Sequence, residues 1–260
     1  MERCSLDRAR PESTPLPLPF KIPGQDANCS YFFHNLQQAY SLGHSLSSTP
    51  FTHIYTSDLK RAHSTAQHVL EQQPSPHPPL TITPLLREQH FGVAEGYAWV
   101  MSIPEGTTRE AMYDQKVFPV LDTRQEKFPE GESLDDIALR AEAAVRECIL
   151  PHVGHGQGDG DEEAHIAIAS HGLCISEVVA ALVRLDPEAD KTKSYRGLKN
   201  TAWARVEVNQ RSGDATGLEV KVVKFNVDKH LDDMKDIPSR HENEDGASAE
   251  ARAYFGGGAA

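Results

Sequence analysis

The run Ile166-Ala-Ile-Ala-Ser-His-Gly172, followed by Ile175, Val178, Val179, Leu182 and Val183 at helical spacing, constrains this chain most. It requires an apolar strand, His165 to Ser170, that gives way at Gly172 to an amphipathic helix. A strand end that turns at once into a helix presents the helix N-terminal amides to whatever lies beyond it, and so makes a small anion site. The helix dipole adds roughly 0.3 to 1 kcal/mol in favour of a bound anion when the site is exposed. Gly172 permits close backbone approach, and His171 brings a titratable group to the same place. On Ser170-His171-Gly172 alone, a histidine that satisfies a strand-end hydrogen bond is the simpler reading.

A second stretch repeats this geometry. Phe51 to Thr56 reads as a strand, and Leu59, Ala62, Ala66, Val69 and Leu70 mark a helix that ends at the proline-rich turn Pro74 to Pro79. Between them, Thr56-Ser-Asp-Leu-Lys-Arg-Ala-His places Arg61 on the first turn of the helix. A guanidinium there can fork onto phosphate oxygens at any relevant pH, although an arginine so placed is commonly only a surface charge. A third stretch, Leu85-Leu-Arg-Glu-Gln-His-Phe-Gly-Val-Ala-Glu-Gly96, offers Glu88. In a partly desolvated cleft its pKa rises, and it can then hand a proton to a leaving alkoxide; otherwise it is a solvated loop charge. Arg87 and His90 fit the surface better than the cleft.

Around these stretches, Asn35 to Leu46 shows an approximate helical stripe and Leu80 to Ile82 fits a short strand. Ser133 with Asp136 resembles a helix-start capping pair, ahead of Leu134, Ile137, Ala138, Ala141, Ala144, Val145 and Cys148 at helical spacing. Trp203 to Val208 and Leu218 to Phe225 read as two strands. Leu85 to Pro129 has little periodicity, which suggests loops and short helices over a site and the place where substrate is selected. Residues 1–34 read as a poorly ordered arm, 35–231 as one domain, and 232–260 as an acidic, then Gly/Ala-rich, disordered tail.

The 260 residues carry a formal charge of −12, which disfavours nucleic acid or an anionic membrane as the main partner. The four cysteines form no CxxC pair, and no apolar run reaches the roughly 18 to 20 residues of a membrane span. A cytoplasmic protein is the default expectation. The thirteen histidines are scattered, with no HxH or HExxH pattern, so no metal and no other cofactor is expected.

Taken in order, the stretches around Arg61, Glu88 and His171 resemble the histidine phosphatase superfamily, in its phosphoglycerate-mutase-like branch of broad-specificity phosphatases. Leu36 to Leu46 is similar to the family's first helix, and Pro129-Glu-Gly-Glu-Ser-Leu134 to its Gly-Glu-Ser loop. Gly197-Leu-Lys-Asn-Thr-Ala202 and Phe225-Asn-Val-Asp-Lys-His-Leu231 are similar to its closing segments. The resemblance spans about residues 36 to 231. It implies an α/β fold, a three-layer α/β/α sandwich with a mostly parallel central sheet. It also implies a phosphatase that hydrolyses phosphomonoesters of small metabolites through a phosphohistidine. Glu88 then stands for the acid/base, His171 for the second histidine, and Arg61 with Gly172 for phosphate ligands.

One family feature is missing. The Arg-His-Gly motif that supplies the nucleophile ends the family's first, central strand; here the corresponding place reads Arg10-Pro-Glu-Ser13. The first histidine, His34, falls at the expected start of a helix rather than at a strand end. Nothing in residues 1 to 30 has the apolar run of a buried parallel strand, so a slot is expected beside His165 to Ser170. The composition break just before Gln38-Ala39 suggests an alternative or misassigned gene start for residues 1 to about 37. The alternative function is a catalytically impaired member, or a truncated gene model, that binds phosphate compounds or a partner without turnover. Phosphatase is favoured over mutase because Tyr97-Ala-Trp-Val-Met lacks the Asn-Lys associated with the mutase version of that loop.

Overall fold

The computed structural model describes residues 27–154, 163–211 and 217–234. Most of the expected arm and tail lies outside these residues, as does most of the acidic connection at 154–163. The elements run α1 (Ala27–Leu46), β1 (His53–Ser57), α2 (Lys60–Glu71), β2 (Leu80–Thr83), β3 (Ala98–Val100), α3 (Arg109–Asp114), β4 (Val117–Pro119), α4 (Leu134–Cys148), β5 (Ile166–Ala169), α5 (Gly172–Leu185), β6 (Trp203–Gln210) and β7 (Leu218–Val227). Helix α1 thus begins at Ala27, ahead of the stripe legible from Asn35.

Strands β2, β1 and β5 form a parallel sheet in that order, with Tyr55 opposite both Thr81 and Ile168. The period-2 alternation of β1 sorts its side chains into two layers. Ile54 packs with Leu42, Ala66 and Val69 of α1 and α2, while Tyr55 packs with Ala141, Val145, Val178 and Leu182 of α4 and α5. Helices therefore cover both faces of a parallel sheet, which is the α/β sandwich the family resemblance implies. Helix α4 starts where its capping pair placed it. The Ser133 hydroxyl accepts from the Asp136 amide, and the Asp136 carboxylate accepts from the Ser133 amide.

Among the described residues β5 pairs with β1 alone, and β6 and β7 form a separate antiparallel hairpin. All four β5 residues remain half-buried, whereas β1 has four of its five buried. A central strand with a ladder on each side would lose that exposure. Trp203, at the start of β6, packs in the same α1/α2 layer as Ala167 and Ala169 of β5.

The region from Leu85 to Pro129 holds more regular structure than its aperiodic sequence suggests. Strands β3 and β4 pair in parallel around α3, and Trp99, Phe118, Val120 and Phe128 build a small aromatic core of their own. This subassembly is stapled to the 129–131 loop at Gly92, whose φ is +57°. A Cβ there would lie 2.0 Å from the Pro129 carbonyl oxygen, so only glycine fits. No described helix is long and apolar enough to cross a membrane.

Candidate phosphate site at the ends of β1 and β5

Parallel pairing of β1 and β5 brings their C-terminal ends together, and with them the first turns of α2 and α5. This is where ligands bind in open α/β sheets. Arg61, on the first turn of α2, donates from Nε to His171 Nδ1 at 2.9 Å. A guanidinium can only donate, so His171 Nδ1 carries its lone pair and the ring proton sits on Nε2. That proton points at Ser57 Oγ, 3.0 Å away on the buried end of β1. Burial first, then the charges of Arg61 and Arg140, push the His171 pKa down to about 3. His171 is thus a neutral imidazole with both nitrogens engaged. It cannot act as a general base on Ser57, because the nitrogen facing that hydroxyl already carries the proton.

Glu88 reaches the same place from the other side. Its carboxylate accepts from the amides of Leu173 at 3.3 Å and Cys174 at 3.2 Å, the first turn of α5, and from its neighbour Gln89 at 3.1 Å. Desolvation raises its pKa, and these amides together with Arg61 oppose that rise. Two of the α5 amides expected to receive an anion therefore already hold a carboxylate of this chain. The Gly172 amide, one residue earlier, has no partner among the described residues. A Cβ at Gly172 would stand 3.9 Å from Glu88 Oε2, an ordinary contact.

The structure thus brings Arg61, Glu88, His171 and Gly172 into one cluster. It leaves the other two candidates outside. Arg87 forks onto Asp58, with Nε 2.8 Å from Oδ1, on the exposed rim. His90 Nδ1 lies 3.1 Å from the Gly92 amide, in the turn beside Glu130.

Three supporting roles went unread in the sequence. Arg140 of α4 forks onto Glu132, at 3.1 and 2.9 Å, and also donates to the carbonyls of Leu85, Arg87 and Glu88. It clamps the segment that carries Glu88. Ser170 donates to the Leu86 carbonyl at 2.7 Å and fixes the same segment to the end of β5. Arg124 makes two 3.0 Å bonds to the buried Glu177 of α5 and a third to Asp135, tying the 120s loop to α5 and the start of α4. The only signal for Arg140 is its place one residue before the buried Ala141 in the α4 stripe.

Among the described residues, no three His, Cys, Asp or Glu side chains gather into a group able to hold a metal.

Residues 34–220 match the family model described as Histidine phosphatase superfamily (branch 1). The chain is 28% identical over 204 residues to the probable phosphoglycerate mutase GpmB of Erwinia tasmaniensis, covering 76% of this chain and 84% of that one. It is 27% identical over 151 residues to a 2,3-bisphosphoglycerate-dependent phosphoglycerate mutase of Gloeobacter violaceus, covering 58% and 63%. A solved mycobacterial glucosyl-3-phosphoglycerate phosphatase superposes with a TM-score of 0.53 at 22% identity, covering 74% of this chain and 84% of that one.

Proposed function

The chain belongs to the histidine phosphatase superfamily, and from that premise we propose that it is a phosphatase acting on phosphomonoesters of small metabolites. In the overall reaction the bond from phosphorus to the ester oxygen breaks, the alcohol leaves with a proton, and water supplies the hydroxyl of inorganic phosphate. The observation that supports this most is the juxtaposition of a desolvated, pKa-raised Glu88 with Arg61 and His171 at one sheet end. Glu88 in its protonated form is the donor for the departing oxygen. Arg61 is an exposed residue, and the guanidinium N–H groups beyond the Nε bonded to His171 match phosphate oxygens. His171 stays neutral, and by accepting from Arg61 at Nδ1 it holds the guanidinium in place for the phosphate. The Gly172 amide supplies a further donor.

The absent Arg-His-Gly motif favours a second reading, in which the same cluster binds phosphate compounds without turnover. Groups that act as a unit fail together, so lack of the nucleophile costs several orders of magnitude in rate. Hydrolysis of p-nitrophenyl phosphate by the full chain separates the two. Release of p-nitrophenol that disappears in His171→Ala supports the phosphatase. A flat trace from folded protein rejects it in favour of binding alone.

A further inference from the structure

The C-terminal end of β1 buries the hydroxyl of Ser57 completely. A buried hydroxyl costs free energy unless it is hydrogen-bonded. Alanine would fill nearly the same space, so the bonds are what distinguish serine at this position. Its Oγ receives two protons, that of His171 Nε2 from 3.0 Å and that of the Leu59 amide from 3.2 Å. Together they use both lone pairs of the oxygen.

Each of these bonds leads to Arg61. Leu59 is the N-cap residue of α2, and its hydrocarbon side chain accepts nothing. The turn from β1 into α2 is instead held by the Ser57 oxygen on the Leu59 amide, and Arg61 follows two residues later in the first turn. The second route runs through the imidazole. A ring whose Nε2–H is tied to Ser57 has its direction fixed, and its Nδ1 lone pair then faces Arg61 Nε at 2.9 Å. The adjacent carboxylate of Asp58 does neither task, since Arg87 forks onto it.

We propose that Ser57 is a positioning residue of the phosphate site: by receiving the His171 and Leu59 protons on one oxygen, it fixes how Arg61 presents its remaining N–H groups to phosphate. The proposal rests on the phosphate reading of the Arg61–His171–Glu88 cluster. A guanidinium forks onto two phosphate oxygens in its own plane, so a tether that sets the plane raises affinity by pre-organisation. Ser57 acts only through Arg61 and His171 and stays out of contact with the ligand.

The test is a double-mutant cycle on the binding of inorganic phosphate, measured by calorimetry on the full chain. The proteins are the parent, Ser57→Ala, Ser57→Thr, Arg61→Ala and the variant carrying both alanines. Loss of the tether in Ser57→Ala should weaken phosphate about fivefold, whereas Ser57→Thr, which keeps the hydroxyl, should stay within about twofold of the parent. In the Arg61→Ala background the Ser57→Ala loss should vanish, because no guanidinium is left to orient. Ser57→Cys, close to serine in size but with a weakly accepting sulfur, replaces Ser57→Ala if the latter does not fold, and should show the same loss. The proposal is overturned, while phosphate binding stands, by any of three results: parental affinity without the hydroxyl, an equal loss with and without Arg61, or a folded Ser57→Thr as weak as Ser57→Ala. No saturable phosphate binding in the folded parent, or an affinity unmoved by Arg61→Ala, overturns the phosphate reading and this proposal with it.

Discussion

Replacing His171 by glutamine, which accepts from Arg61 and donates to Ser57 without titrating, isolates the contribution of a histidine held neutral. In the folded chain its pKa is pushed down to about 3 from an ordinary 6.5. Between those values the unfolded chain binds a proton that the folded chain refuses. The stabilisation relative to a non-titrating residue is therefore fully present above 6.5 and is lost as pH falls towards 3. At 1.36 kcal/mol per pKa unit, the 1.5 units between 6.5 and pH 5 amount to about 2 kcal/mol, against almost nothing at pH 7. Urea unfolding followed by circular dichroism at pH 7 and pH 5, for the parent and His171→Gln, reads this directly. The parent should lose about 2 kcal/mol more than the variant over that interval. Glu88 titrates in both proteins, so its opposite trend, stability falling as pH rises above 4.5, cancels in the difference. A difference that stays constant within about 0.5 kcal/mol would mean that His171 titrates normally, and the Arg61–His171–Ser57 arrangement would have to be abandoned.

Arg140→Met should cost about 2 to 3 kcal/mol, because it strands the Glu132 carboxylate and three carbonyls of the Glu88 segment; a cost under about 1 kcal/mol in denaturant unfolding argues against the clamp. Gly92→Ala combines a left-handed φ with a clash against backbone and should destabilise by more than about 2 kcal/mol, with a Trp99 emission shift marking the aromatic subassembly. A neutral result there would mean that the 92–131 contact is not as described. Ser133→Ala removes one half of the α4 capping box and should cost about 1 kcal/mol, measured as a lower urea midpoint at unchanged slope.

Elements that declare themselves locally were legible in the sequence. The β5–α5 turn at Ser170-His171-Gly172 and the α4 start at Ser133 carry their own signals in apolar period and capping residues. Strands β3 and β4 were not legible because three residues are too few to show a period of two. The site was legible as residues and not as bonds. Arg61 and His171 each announce a helix start, yet nothing local shows that one occupies a nitrogen of the other across 110 positions. Glu88 reads as a loop carboxylate until folding brings it to the α5 amides, 85 and 86 residues later. Arg140 looks like an ordinary helix arginine, since its partners are mostly backbone carbonyls that no sequence pattern marks.

The central claim is that Arg61, with His171, Glu88 and the α5 start, forms a phosphate site. Calorimetric titration of the full chain with inorganic phosphate, beside Arg61→Ala, addresses it most directly. The account predicts one saturable site in the parent and at least a tenfold weaker one in Arg61→Ala, the loss of a charge-assisted fork being worth roughly 1.5 to 3 kcal/mol. No saturable heat in the folded parent, or the same affinity in both proteins, would contradict it.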